Sequence, residues 1–289
     1  MNYLFRSVAY SFSQVMFQKN TVTGVCFILG IGINSLTMLA GGVLGILTSI
    51  FFAKFFRFNK EFINSGLYSF NSVLLGIGCF YFYSPTLLAI LVLIIGSAFS
   101  TLVTHLMMTK FTHLPIYTAP FVSVFWGLSL AISFLNIDLI EVAHLQGSSN
   151  NLFSIPLGVA QVMFQDYWLS GVIFSVGLWY QSFRVSFYAL IGSGLGMITA
   201  QVFGFSSELI DIGFYGFNAT LVTLALADKY KKKLWMILIG IALSVLFTRA
   251  GDLMGISALT SPFIFASWLT VLTEKFIAIF LLKASDIEW

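Results

Sequence analysis

The chain has 289 residues, of which 58% are hydrophobic, 17% aromatic and only 9% charged. Soluble domains carry about 25% charged residues, so this composition excludes an ordinary soluble protein and predicts an all-α integral membrane protein. The net charge of +3 is too small to indicate a nucleic-acid partner.

In the first half of the chain, apolar runs predict one short helix followed by five membrane spans. The short helix near 4–18 is interrupted by polar residues, and we expect it to be tilted or re-entrant. The five spans are expected near 22–37, 39–56, 66–82, 87–108 and 116–135.

The second half repeats this order of elements. It predicts a second tilted or re-entrant helix and then five further spans. These elements are expected near 155–165, 168–183, 186–203, 213–227, 234–250 and 260–282.

Three short sequences recur in the same order in the two halves. SFSQVMFQK at 11–19 matches GVAQVMFQD at 158–166, and GLYSFNSVLLG at 66–76 matches GFYGFNATLVT at 213–223. LPIYTAPF at 114–121 matches ISALTSPF at 256–263. We therefore predict a duplication of about 145 residues. Its first repeat is expected at 1–140, an extracytoplasmic linker at 141–154 and its second repeat at 155–289.

Loop charges indicate how the two repeats are oriented. The loop at 54–60 contains three basic residues, whereas its counterpart near 204–212 contains two acidic ones. The YSPT turn at 83–86 is uncharged, whereas its counterpart at 228–233 is rich in lysine. Since basic loops favour the cytoplasm, equivalent loops lie on opposite sides of the membrane. This predicts inverted repeats of five spans each, with both termini in the cytoplasm.

The residues that the repeats share are candidates for function, because inverted repeats place a substrate path at their interface. They are amides, hydroxyls and apolar or aromatic side chains, and none is charged, whereas an ion path normally presents charged groups or rings of carbonyls. The set therefore favours a small neutral polar solute. Its pairs are Gln14 and Gln161, Phe17 and Phe164, Tyr68 and Tyr215, Phe70 and Phe217, Asn71 and Asn218, Leu74 and Leu221, and Thr118 and Thr260.

Each shared pair also has a purely structural interpretation. Phe and Leu four residues apart are usually core packing on one helix face, and amides often tie membrane helices together. A threonine commonly bonds to its own helix, and the matched glycines Gly66 and Gly213 permit close helix approach.

Two prolines, Pro115 and Pro120, flank Thr118 in an apolar region. Proline tolerates the first turn of a helix and disrupts its interior, so Pro120 should break or restart a helix at membrane depth. The carbonyls freed by such a break are admissible where they line a cavity. A kink that only shapes the bundle is the alternative.

These motifs resemble the urea transporter family. Its LPxxTxPF signature is complete in LPIYTAPF at 114–121, while ISALTSPF at 256–263 keeps the TxPF part and lacks the Leu-Pro. The GxYxFN elements and the duplicated QVxF segments are also similar to that family, and the resemblance covers essentially the whole chain.

The resemblance implies a homotrimer in the membrane lipid, each protomer having a central pore that conducts urea down its gradient. Paired phenylalanines would form narrow slots for the flat solute. The slots would be built by Phe17 with Phe70 and by Phe164 with Phe217, and lined by Leu74 and Leu221. Near the middle, Thr118 and Thr260 would accept the N–H bonds of urea. Gln14 and Gln161 would face the pore near the tips of the tilted helices.

A channel for other small neutral solutes remains the alternative, namely short-chain amides, ammonia or water. Against an ammonia pore with paired histidines, His105, His113 and His144 have no histidine at the repeat offset, and the NPA turns of water channels are absent. No nucleophile, acid–base pair or HExxH motif indicates an enzyme, so we expect no catalysis, cofactor or metal. Short termini and the lack of an exposed glycosylation sequon favour a bacterial inner membrane.

Overall fold

The computed structural model of the chain describes residues 3–111, 113–136, 153–227, 229–231 and 233–285. Most of the predicted linker at 141–154 lies outside the described residues, as do His144, Asp228 and Lys232.

The chain folds into α-helices, which make up 78% of the described residues, and these residues contain no strand. The all-α prediction is therefore confirmed. The helices of the first half are α1 (Tyr3–Gln14), α2 (Thr21–Asn34), α3 (Leu36–Phe55), α4 (Lys60–Asn64), α5 (Phe70–Phe82), α6 (Leu87–Lys110) and α7 (Ala119–Phe134). Those of the second half are α8 (Ser154–Gln161), α9 (Trp168–Gln181), α10 (Phe183–Val202), α11 (Ser207–Asp211), α12 (Gly216–Leu226), α13 (Leu234–Leu253) and α14 (Ser261–Ser285).

Four of the described helices are long and apolar enough to cross a membrane by themselves, namely α3, α6, α10 and α13. Four shorter apolar helices, α2, α5, α7 and α12, accompany them. Large apolar side chains such as Phe51, Ile95 and Leu130 are exposed on the outside of the bundle. An apolar exterior of this kind is stable in lipid and not in water.

Polar side chains define several of the helix starts. Ser35, between α2 and α3, accepts a hydrogen bond at its side-chain oxygen from the backbone N–H of Met38. Thr86 does the same for the N–H of Ala89 at the start of α6. Caps of this kind satisfy N–H groups that the helix itself leaves unpaired.

The helices predicted near 66–82 and 213–227 begin later than expected, at Phe70 and at Gly216. Each is preceded by a turn that contains a glycine with positive φ, 76° at Gly66 and 79° at Gly213. A Cβ on Gly66 would lie 2.6 Å from the backbone nitrogen of Ser11 in α1, and one on Gly213 would lie 2.5 Å from that of Gly158 in α8. The glycines therefore provide both the turn and the close approach of the short helices.

Helices α2 and α9 form a direct contact between the two halves, fixed by two reciprocal hydrogen bonds. The hydroxyl of Thr23, early in α2, donates to the carbonyl of Gly177, late in α9, at 2.8 Å. The hydroxyl of Ser170, early in α9, donates to the carbonyl of Gly30, late in α2, at 2.7 Å. The beginning of each helix thus lies beside the end of the other, and the two helices run antiparallel.

Within each half the remaining long helices pack in the same order. In the first half α3 packs against α5 and α6, and in the second half α10 packs against α12 and α13. The short helix α1 contacts α5, as α8 contacts α12. The buried core runs continuously from one half to the other.

Candidate functional site

The two halves meet at a pair of threonines. The side-chain oxygens of Thr118 and Thr260 lie 2.8 Å apart, and both side chains are buried. A hydroxyl has one proton and two lone pairs. After one bond between them, the pair still offers a proton and three lone pairs to a third molecule. Since neither side chain is ionisable, this is a neutral hydrogen-bonding centre.

Each threonine lies directly before a helix that has proline in its first turn. Pro120 is within the first two residues of α7, and Pro262 is the second residue of α14. The prediction that Pro120 restarts a helix is confirmed. The residue before each threonine has positive φ, 45° at Tyr117 and 52° at Leu259. The backbone therefore turns sharply before the two helices begin.

Asparagines from neighbouring helices stabilise these two helix starts. The Oδ1 atom of Asn71 in α5 accepts a hydrogen bond from the backbone N–H of Phe121, at 3.2 Å. Asn218 in α12 makes the same bond to the N–H of Phe263, also at 3.2 Å. Both asparagines are fully buried. This supports the structural interpretation of the pair, because each amide ties one helix to the start of another.

Two tryptophans hold the non-helical segments that precede the threonines. The indole N–H of Trp126 donates to the carbonyl of Ser257 at 2.9 Å, and that of Trp268 donates to the carbonyl of Pro115 at 2.8 Å. Each bond joins one half to the other. These tryptophans were not among the residues predicted from the sequence. They could have been found, since each lies five residues after the phenylalanine of its TxPF motif.

Phe17 and Phe164 lie just after the short helices, in backbone conformations that are unusual for bulky residues. Their φ angles are 62° and 59°, in the left-handed region that disfavours side chains with a Cβ. The matching strain in both halves indicates that the fold holds these two rings in fixed places.

Each of these rings contacts the motif phenylalanine of the opposite half. The centroid of Phe17 lies 5.9 Å from that of Phe263 and 5.8 Å from that of Tyr117. The centroid of Phe164 lies 6.1 Å from that of Phe121. A phenylalanine therefore connects each short helix with the region of the threonine pair.

Phe70 is the first residue of α5, and Phe217 is the second residue of α12. Both are almost fully buried. In the described part of the chain, the ring contacts of Phe17 are with Tyr117 and Phe263 rather than with Phe70. A slot that holds a flat molecule between two rings needs the two ring planes to be roughly 7–8 Å apart, which is twice the contact distance between carbon atoms. Leu74 and Leu221 lie one helical turn further on and have no exposed surface.

The two glutamines share one equivalent partner, and Gln161 also donates to Oδ1 of Asp166 at 3.0 Å. The side-chain N–H of Gln14 donates to the carbonyl of Ser65 at 3.1 Å, and that of Gln161 donates to the carbonyl of Ile212 at 3.4 Å. These carbonyls directly precede Gly66 and Gly213. Both glutamines remain partly exposed, so they lie near the surface end of the short helices.

Glu274, a carboxylate within α14, is neutralised locally. Its oxygens lie 3.1 Å from the amine of Lys229 and 3.0 Å from that of Lys233. The hydroxyl of Tyr230 also donates to it, and burial raises the pKa of that tyrosine. Among the described residues, no three His, Cys, Asp or Glu side chains are grouped to hold a metal ion.

Comparisons with known proteins give consistent results. The sequence model of the family described as urea transporter matches residues 5–275. Urea transporter 1 of Ovis aries is 24% identical over 295 residues, which covers 90% of this chain and 74% of the relative, and that of Capra hircus gives the same values. Urea transporter 1 of Mus musculus is 24% identical over 262 residues, or 81% of this chain and 65% of the relative.

Proposed function

The chain belongs to the urea transporter family, and from this premise we propose that it conducts urea passively across a membrane through a pore between its two halves. The resemblance noted in the sequence is thus confirmed, and a role as an enzyme is excluded because the family consists of transporters. The chain is a membrane protein.

The observation that carries the proposal is the buried threonine pair. Urea has four N–H bonds in one plane and a single carbonyl. Taking such a molecule into an apolar passage without partners costs about 2–7 kcal/mol for each lost polar contact. Thr118 and Thr260, with oxygens 2.8 Å apart, offer lone pairs to urea N–H groups and a proton to its carbonyl.

On either side of this centre we assign an aromatic slot. Phe17 with Phe70 would form one slot and Phe164 with Phe217 the other. What supports the assignment is the matched strain at Phe17 and Phe164 and their contacts with Phe263 and Phe121. Leu74 and Leu221 would line the slots, and Gln14 and Gln161 would meet the solute at the two ends.

Passive conduction is supported by the lack of charge in the assigned residues. A charged solute would lose its hydration and find no countercharge among them. Coupled transporters normally keep an ionisable residue in a span for the coupling ion. Glu274 would be such a residue, but Lys229 and Lys233 neutralise it.

We further propose that the halves are inverted repeats, 1–140 and 155–289, joined by an extracytoplasmic linker at 141–154. The antiparallel contact between α2 and α9 supports this, as do the opposite charges of equivalent loops. The proposal includes five spans and one tilted helix in each repeat, cytoplasmic termini and a bacterial inner membrane. It also includes a homotrimer with one pore in each protomer.

Short-chain amides are the second candidate solutes. Aromatic slots with hydroxyl acceptors recognise planarity and N–H groups, and acetamide shares both with urea. Ammonia and water are small enough to pass but have no flat face for the rings to orient.

The proposal is tested by stopped-flow light scattering on liposomes that contain the purified protein. We expect rapid urea flux, slower acetamide flux and little acceleration of ammonia or water over empty liposomes. Urea flux no faster than in empty liposomes would refute the proposal. Accumulation of urea against its gradient under an imposed pH or sodium gradient would refute the passive mechanism.

The inverted topology has a separate test with a membrane-impermeant amine reagent. Lys54, Lys60 and Lys231 should react from the same face of the bilayer, because an odd number of spans per repeat places these loops together. Labelling of Lys231 from the opposite face would contradict the inverted arrangement without bearing on the solute.

A further inference from the structure

A cavity of about 630 Å3 opens where α3 ends, between the beginning of α1 and the short helix α4. This volume is within the range of roughly 300–1,000 Å3 that is typical of small-molecule sites. Its lining residues are Tyr3, Lys54, Arg57, Phe58, Lys60, Ile63 and Asn64. The cavity is separate from the residues assigned to the transport path.

The cavity is positively charged. Three of its lining residues are basic, and all three are exposed. No carboxylate lines the cavity among the residues that the structure describes, although Glu61 follows Lys60 in the chain. Lys54, Arg57 and Lys60 are therefore available to an anion that enters the cavity.

The second half lacks these charges at the equivalent positions. Lys54, Arg57 and Lys60 correspond, 147 residues later, to Gln201, Gly204 and Ser207. The fold of the repeat therefore does not require basic residues here. The first half therefore carries a charge cluster that its counterpart lacks.

Arg57 strengthens this conclusion, because its backbone is in the left-handed region, with φ of 56°. The equivalent Gly204 has φ of 68°, and the two turns share the same hydrogen bond, from Arg57 N–H to Lys54 and from Gly204 N–H to Gln201. Glycine adopts this conformation without strain and arginine does not. A strained charged residue that lines a cavity suggests a function for its side chain.

The location of the cavity indicates where its ligand comes from. It lies at the end of α3, a 20-residue apolar helix whose length matches the hydrocarbon core of a bilayer. Phe51, Phe55 and Phe56, at the same end of α3, are exposed on the outside of the protein. Apolar rings at the end of a membrane-length helix, followed directly by basic residues, mark the boundary where the hydrocarbon core meets the lipid head groups.

We infer that this cavity binds a phosphate-bearing anion, and that its source is the head group of an anionic membrane phospholipid. Lys54, Arg57 and Lys60 contact the phosphate, while the acyl chains lie against the exposed phenylalanines of α3. Basic pockets between membrane helices bind acidic lipid head groups in this way. The inference does not depend on which solute the protein transports.

The test is native mass spectrometry of the full chain in detergent, titrated with phosphatidylglycerol or with phosphatidylcholine. The variant Lys54→Gln/Arg57→Gly/Lys60→Ser introduces the three residues of the second half. A base that contacts an acidic head group contributes about fivefold to the affinity, so the loss of all three lining bases should weaken phosphatidylglycerol binding roughly 100-fold. Binding of phosphatidylcholine should be unchanged.

Controls separate this site from general electrostatic attraction. Lys110→Gln removes an exposed base at the end of α6 and should leave phosphatidylglycerol binding unchanged. Arg57→Gly alone relieves a strained backbone, should fold normally and should weaken binding about fivefold. Equal phosphatidylglycerol binding by the wild type and the triple variant would overturn the inference, as would a wild type that does not distinguish the two lipids.

A third arm distinguishes the source of the phosphate. Inorganic phosphate at millimolar concentration should displace phosphatidylglycerol only weakly, because it has no acyl chains to contact the phenylalanines. If inorganic phosphate at the same concentration as phosphatidylglycerol displaced that lipid completely, the inference that the ligand is a lipid would be overturned. Urea flux should be the same for the wild type and Arg57→Gly, because Arg57 is outside the proposed transport path.

Discussion

The side-chain oxygens of Thr118 and Thr260 are 2.8 Å apart, although the two residues are separated by 142 positions in the chain. The matched helix starts explain this contact, because each threonine is the residue directly before a helix with proline in its first turn. Reciprocal bonds from Trp126 and Trp268 hold the segments that lead to it. The two halves thus present the same group at one buried point.

The first prediction concerns these hydroxyls. Thr118→Val with Thr260→Val keeps the shape of both side chains and removes the acceptors. An unmade buried hydrogen bond costs about 1–3 kcal/mol, so we expect urea flux to fall by roughly 5- to 150-fold in proteoliposomes. The measurement is stopped-flow light scattering at matched protein content.

Thr109→Val is the matched control for the double variant. Thr109 donates to the carbonyl of His105 within its own exposed helix turn, so the loss of its hydroxyl should leave flux unchanged. Wild-type flux in the Thr118→Val/Thr260→Val variant would exclude these threonines from the mechanism.

Much of this arrangement was predictable from the sequence. Long apolar runs predicted the positions of the helices, and self-comparison paired the threonines and asparagines. Apolar runs are a local signal, and the paired residues are found because their sequence repeats along the chain. Proline at a helix start is equally local, because its ring restricts its own backbone and that of the preceding residue.

Contacts between the halves were not predictable in the same way. The bonds between Thr23 and Gly177 and between Ser170 and Gly30 depend on how two helices from different repeats pack, which no single run of sequence specifies. For Phe17, the ring contact with Phe263 follows from the meeting of the halves, whereas the resemblance to the family implied Phe70 as its partner.

A second prediction concerns the glycine turns. Gly66→Ala and Gly213→Ala each place a methyl group within 2.6 Å of the backbone of a short helix and require positive φ. Because both effects oppose the native turn, we expect each variant to lose more than about 1 kcal/mol of stability. Thermal unfolding in detergent measures this loss.

Gly127→Ala provides the contrast within a helix of the same protein. No atom lies within 4 Å of a Cβ at Gly127, and alanine is favoured over glycine in a helix interior by roughly 0.5–1 kcal/mol. This variant should be as stable as the wild type or more so. If Gly66→Ala were equally stable, the close approach of α1 would not constrain that turn.

The third prediction concerns the tryptophans that join the halves. Trp126→Phe and Trp268→Phe each remove one indole donor from a carbonyl of the opposite half. Both bonds are exposed to the surface, so their loss leaves no buried group unpaired and we expect a cost of about 0.5–1.5 kcal/mol per variant. For a chain of this size, that corresponds to a decrease in Tm of a few degrees.

Trp235→Phe is the control, because Trp235 is half exposed on the outside of α13. Its Tm should match that of the wild type. The equivalence of the two bonds further requires that Trp126→Phe and Trp268→Phe lower Tm by similar amounts. A large effect of one and none of the other would show that the halves are not held together symmetrically.

The last prediction concerns selectivity in the proposed slots. Phe70→Ala removes one wall of a slot, so the passage should accept bulkier amides. Excluding one extra methylene in an apolar pocket is worth at least about tenfold. We therefore expect the ratio of urea flux to N-methylurea flux to fall by about tenfold. Phe80→Ala, a buried change on the same helix, should lower stability and leave that ratio unchanged. An identical ratio in wild type and Phe70→Ala would assign Phe70 to core packing, because a ring that only fills space cannot rank solutes.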